Sequence, residues 1–286
     1  MQSDYESLLR NALEEYLQLA SKEILSPDEY YLDFNFDFLE NRKLTWTAES
    51  IICGELQELT NLLNAWQSSL RRWGRWNKVV SSKDEQAAWA LREEFVEAVA
   101  HECLLRPSSL RDIFTSIATN ALHQVRLITE PDRIKYPDFL EDDPKKPNDR
   151  PQHIRRKKEE RLSKLTNQWQ ESTVFMTSLK KLDDQNYRDL TCDYRNLTSH
   201  TIGPRLAIGD TKMVTRTVEQ ATSFPDRMPI SGTMSVCYTF GFTSPLNLEE
   251  SQCTNLEQYK LARCCYKHYL NLLSAAVANI ALKAVN

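Results

Sequence analysis

From Ile52 onward the apolar residues of this chain recur at alternating gaps of four and three: Ile52, Leu56, Leu59, Leu63, Trp66, Leu70 and Trp73. That spacing puts all seven on one stripe of an α-helix, whereas a strand, with side chains alternating between faces, cannot align them. A long helix with one continuous apolar stripe has to bury it against other helices, so the chain is drawn toward a helical bundle. Residues 4–22, 84–105 and 108–129 carry the same period, and the last helix aligns Leu256, Tyr259, Tyr266, Leu270, Leu273, Val277 and Ile280. Trp66, Trp73 and Trp76 read as core, with Arg71, Arg72 and Arg75 solvated beside them. Only 6 glycines in 286 residues argue against a loop-rich or barrel design.

Prolines punctuate this pattern. Pro107 followed by Ser108 and Ser109 reads as a helix start. It divides the chain into an N-terminal helical region, 1–106, and a second unit, 107–286. Pro131, Pro137, Pro144, Pro147 and Pro151 crowd a loop or linker over residues 130–152, which also holds an acidic patch. The basic run Arg155-Arg156-Lys157-Lys158 then opens a helix carrying Leu162, Leu165, Trp169, Met176 and Leu179. Such a run is ordinarily a solvated helix face; its sharper reading is a patch that tracks RNA phosphates. Past residue 200, stretches 212–219 and 233–242 are rich in β-branched and aromatic residues with partial alternation. The expected fold is mainly all-α, a helical bundle with a small β-hairpin or irregular excursion, at about 201–252, before the C-terminal helix.

Few residues speak of chemistry. The seven cysteines are odd in number and contain no C-x-x-C pair, so neither a disulfide framework nor a structural zinc site is expected. His101 and His123 stand alone in helical segments and read as structural. No phosphate-binding G-x-x-x-x-G-K-[ST], esterase G-x-S-x-G or zinc-protease H-E-x-x-H occurs, and no metal or cofactor is expected. A net charge of −4 excludes nucleic-acid binding by bulk electrostatics, so any such contact is local. The acidic N-terminus lacks the apolar core of a signal peptide and no apolar run reaches membrane-span length. A cytoplasmic protein without membrane contact is expected.

The exception is Arg195-Asn196-Leu197-Thr198-Ser199-His200, which gathers a cationic fork, an amide and an imidazole within six residues before Gly203-Pro204. Arginine grips phosphate in two places, and histidine titrates near neutral pH. On a continuous helix, residues five apart point about 140° from each other, so Arg195 and His200 converge only where the backbone breaks. Gly203-Pro204 supplies such a break, with His200 just past the helix or at its fraying end. Spacing alone is a weak signal: Arg263 and His268 reproduce it, but mid-helix and without a following Asn.

Arg195-Asn196-x-x-x-His200 resembles the R-N-x-x-x-H form of the R-x(4–6)-H signature of the HEPN superfamily (higher eukaryotes and prokaryotes nucleotide-binding). The resemblance implies a helical bundle, usually dimeric, acting as a metal-independent endoribonuclease in a toxin or phage-defence setting. Arg195, Asn196 and His200 would then form the site, RNA would be the substrate, and an antitoxin or regulatory protein a further partner. Some members of the superfamily are catalytically silent, so the alternative is a helical module that binds nucleotide, RNA or protein through the same face. The resemblance covers the motif and the helices from about residue 107, leaving 1–106 and 201–252 without a counterpart.

Overall fold

The computed structural model describes residues 2–24, 30–40, 42–130, 154–206, 208–223, 225–226 and 228–281. Helices α1 (Gln2–Lys22), α2 (Trp46–Ser81), α3 (Glu85–Leu91) and α4 (Glu97–Thr129) come first. Shorter helices follow: α5 (Arg155–Thr166), α6 (Ser172–Lys180), α7 (Gln185–Leu190) and α8 (Tyr194–His200). Strands β1 (Thr211–Thr222) and β2 (Pro229–Thr243) then form a hairpin, and α9 (Leu248–Ala278) closes the chain. Among the described residues the architecture is mainly α with one two-stranded antiparallel sheet. The linker expected at 130–152 lies, apart from Glu130, outside the described residues.

Local signals start the long helices. The Thr45 hydroxyl accepts from Ala48 N–H at the head of α2, and the Asn247 side chain accepts from Glu249 and Glu250 N–H at the head of α9. Each occupies an otherwise orphaned helical donor. The α2 stripe is the core: Ile52, Leu56, Leu59, Leu63, Trp66, Leu70 and Trp73 are all buried. Trp76 is stacked between Tyr16 and Phe95. From α9, Tyr259, Tyr266, Leu273 and Val277 join the same cluster, as does Ile280 just past its end, with Leu256 and Leu270 half-buried at its margin.

A helix start at Pro107 is not what forms. Pro107 lies inside α4, which continues upstream through a π-helical turn (Arg92–Val96) into α3. The 106/107 boundary therefore falls within a helix, and the core draws on residues from Ala12 to Ile280. Proline has no N–H to offer the carbonyl four residues back. Asn255 on α9 substitutes for it: its Nδ2 donates to the Cys103 carbonyl at 2.9 Å. The same side chain donates to the Tyr187 hydroxyl and accepts from Trp66 Nε1, both at 2.9 Å, joining α2, α4, α7 and α9 at one fully buried amide.

The hairpin pairs Lys212 with Phe242, Val214 with Phe240, Arg216 with Tyr238, Val218 with Val236 and Gln220 with Met234. Directly opposed residues share a face, so these ten lie on one side. The other side carries Thr215, Thr217, Glu219, Ser235, Cys237 and Thr239. Among the described residues no helix is long and apolar enough to cross a membrane, and the seven cysteines form no disulfide.

Candidate functional site

Residues 185–200 form two short helices, α7 and α8, separated by a tight corner. Asp184 caps α7 by accepting from Tyr187 N–H at 2.9 Å, and α7 ends at Leu190. Cys192 and Asp193 then take left-handed backbone, both with φ of 50°. Consecutive non-glycine residues seldom adopt that conformation, which costs of order 1 kcal/mol each. The corner gives Arg195, Asn196 and His200 a helix of their own.

Within α8 the polar side chains form a chain. Arg195 Nη1 donates to Asn196 Oδ1 at 2.9 Å, and Asn196 Nδ2 donates to Asp193 Oδ1 at 2.8 Å. Asn196 thus fixes one edge of the half-buried guanidinium, and the left-handed Asp193 fixes Asn196. His200 is exposed at the last position of the helix.

The backbone does not break between Arg195 and His200. Thr201 N–H still donates to the Leu197 carbonyl at 2.7 Å, so helical bonding persists past the imidazole. The chain turns only afterwards. A Cβ at Gly203 would lie 2.2 Å from the Thr198 hydroxyl, so glycine permits the close return over α8. Arg195 and His200 stay five positions apart on one helix and diverge by about 140°. One chain offers the cation and the imidazole on different sides.

Sequence reasoning missed His101. Its Nδ1 lies 2.8 Å from the Tyr194 hydroxyl, and the two rings meet edge-on. Both border a cleft of about 690 Å³ that also presents Trp89, Glu93, Glu97 and Arg205. Burial and then the charge of Glu93 push the Glu97 carboxyl up, and burial raises the Tyr194 phenol. Arg195, Asn196 and His200 do not line this cleft, so the motif helix joins it through Tyr194. No signal in the sequence ties residue 101 to 194.

The basic run is largely absorbed by structure. Arg155 binds both carboxylate oxygens of Asp112, the buried Asp183 carboxylate and the Ser108 hydroxyl. It clamps α5 to α4 and to the start of α7, which leaves it no edge for an RNA phosphate. Arg156 pairs with Glu160 one turn on, and Lys157 and Lys158 follow on the same helix. The arginines of α2, expected to be solvated, are also engaged: Arg75 with Glu23 and Tyr16, Arg71 over the Tyr31 ring, Arg72 with Ser69. Arg71 and Arg75 border a cavity of about 890 Å³ between α2 and α9 that shares no residue with α8. The chance match of Arg263 and His268 is spent on structure, Arg263 on the Tyr30 carbonyl and His268 on the Ser178 hydroxyl.

Comparison with models of known families, with curated proteins and with solved structures finds no match.

Proposed function

We propose that the chain is a metal-independent endoribonuclease of HEPN type, working as a homodimer through Arg195, Asn196 and His200. The observation that carries this is the Arg195–Asn196–Asp193 chain, which holds a guanidinium ready on a short helix whose end presents an exposed imidazole. A neutral His200 takes the proton of an RNA 2′-hydroxyl, whose oxygen attacks the adjacent phosphorus. Arg195 stabilises the charge that grows on the phosphoryl oxygens, where a preoriented cation contributes most. The 5′-oxygen leaves with a proton from a second imidazole, giving a 2′,3′-cyclic phosphate and a 5′-hydroxyl.

The divergence of Arg195 and His200 is the reason two chains are invoked. Across a two-fold axis each helix faces its copy, so the imidazole of one chain meets the guanidinium of the other. The same divergence favours the second reading, a silent nucleotide-, RNA- or protein-binding module, if the chain works as a monomer. A toxin or phage-defence role, with an antitoxin as partner, belongs to the first reading.

The test is RNA cleavage in EDTA. Wild type should release cyclic-phosphate ends, Arg195→Ala and His200→Ala should each abolish them, and mixing the two variants should restore part of the activity. Undiminished cutting by either variant alone would refute the assignment.

A further inference from the structure

The hairpin is amphipathic the wrong way round for a free ribbon. Tyr238, Phe240 and Phe242 are 60, 78 and 69 % exposed, while the side bearing threonines, Ser235 and Cys237 is the more sheltered one. A lone two-stranded ribbon is only marginally stable in water, and an exposed apolar face of this size marks a binding surface. We propose that this face docks single-stranded RNA, an inference that rests on the reading of α8 as a ribonuclease site.

The arrangement of side chains selects that occupant. Tyr238, Phe240 and Phe242 occupy alternate positions of β2, so their rings follow one another about 7 Å apart and offer successive stacking platforms. On β1, exposed Lys212 and Arg216 stand directly across from Phe242 and Tyr238, where a backbone following the bases would run. The sole acidic residue in either strand, Glu219, lies on the reverse face. In a chain of net charge −4 this is the local combination of rings and cations that RNA binding requires. A second copy laid on the same face would instead set Lys212 and Arg216 against their own kind.

Position agrees with use. The base of the hairpin is fastened to the segment that leaves His200: Arg205 N–H donates to the Thr211 hydroxyl at 3.2 Å, and Leu246 N–H to the Arg205 carbonyl at 2.9 Å. RNA laid along the ribbon is led toward the His200 end of α8. Because every base has a stacking face, the docking is tolerant of sequence.

The experiment titrates the full chain carrying His200→Ala, which cannot cut its probe, with a labelled oligouridylate and, separately, with an RNA duplex of the same length. Fluorescence anisotropy should show a preference for the single strand. Phe240→Thr with Phe242→Thr should weaken binding at least ~10-fold. Lys212→Gln with Arg216→Gln should flatten the log–log salt dependence by about 1.4. Unchanged circular dichroism verifies that the bundle is intact in both. Absent binding, unchanged affinity, preference for the duplex, or loss of a dimer on sedimentation of the phenylalanine variant would each overturn the proposal, the last by assigning the face to a second copy. Hairpin-dependent binding by a wild type that never cleaves removes the ribonuclease reading alone. Cleavage with no dependence of affinity on the hairpin removes the docking proposal alone.

Discussion

The Tyr194 hydroxyl and His101 Nδ1, 2.8 Å apart, tie the first residue of the motif helix to the long helix α4. α8 has only seven residues, too few to persist without such anchors. Tyr194→Phe should therefore cost about 1 kcal/mol in denaturant unfolding. On the proposed ribonuclease reading it should also lower the cleavage rate several-fold, because the helix carrying Arg195 and His200 loses its tether. Cleavage at the wild-type rate would show that α8 is positioned without His101.

Arg195→Lys keeps the charge and discards the planar fork. Lysine cannot hold an Asn196 bond and two phosphoryl oxygens in one plane, so under the proposed function single-turnover cleavage should fall at least ~10-fold with little change in stability. Asn196→Ala should do less damage, since it frees the guanidinium without removing it. Equal losses in the two variants would mean that Asn196 itself contacts the substrate.

Arg155→Ala should cost about 2–3 kcal/mol, because it strips one of two cations from the buried Asp183 carboxylate and leaves Arg188 alone with it. Arg156→Ala, one residue on but largely exposed, should stay within about 0.5 kcal/mol. Urea midpoints of the two variants check the contrast.

Glu55 should make stability depend on pH. Burial raises its carboxyl, partly opposed by the hydrogen bond from Asn120, and Oε2 has no partner. A raised carboxyl favours the protonated form in the fold, so its contribution is fully present below the unfolded pKa and is lost as pH rises through the folded one. Glu55→Gln keeps the acceptor for Asn120 and removes the charge. It should raise stability by up to about 1 kcal/mol near pH 7 and change nothing near pH 4. Thermal unfolding at the two values measures it.

The stripe from Ile52 to Trp73 was legible because periodicity is local, and so were the α9 stripe and the hairpin, whose strands stand close in sequence. The bonds of Asn196 are equally local, to positions 193 and 195, but the expected convergence of Arg195 and His200 fails because α8 stays helical through His200. What escaped was set by distant partners. His101 meets Tyr194 93 residues away, and the apparent freedom of Arg155 vanished once Asp112 and Asp183 came beside it. The corner at Cys192 and Asp193 escaped for a different reason: neither residue type announces left-handed backbone as glycine would.

Pro107 leaves α4 with a debt that its own neighbourhood cannot meet. The donor that satisfies the Cys103 carbonyl stands 152 residues further along, on the last described helix to emerge during synthesis. Until α9 docks, the middle of α4 lacks a bond and the Trp66 indole lacks its acceptor, so the earlier helices can gather but cannot lock. Closure of the core therefore depends on α9, whose Asn255 meets the Cys103 carbonyl and the Trp66 indole with one side chain.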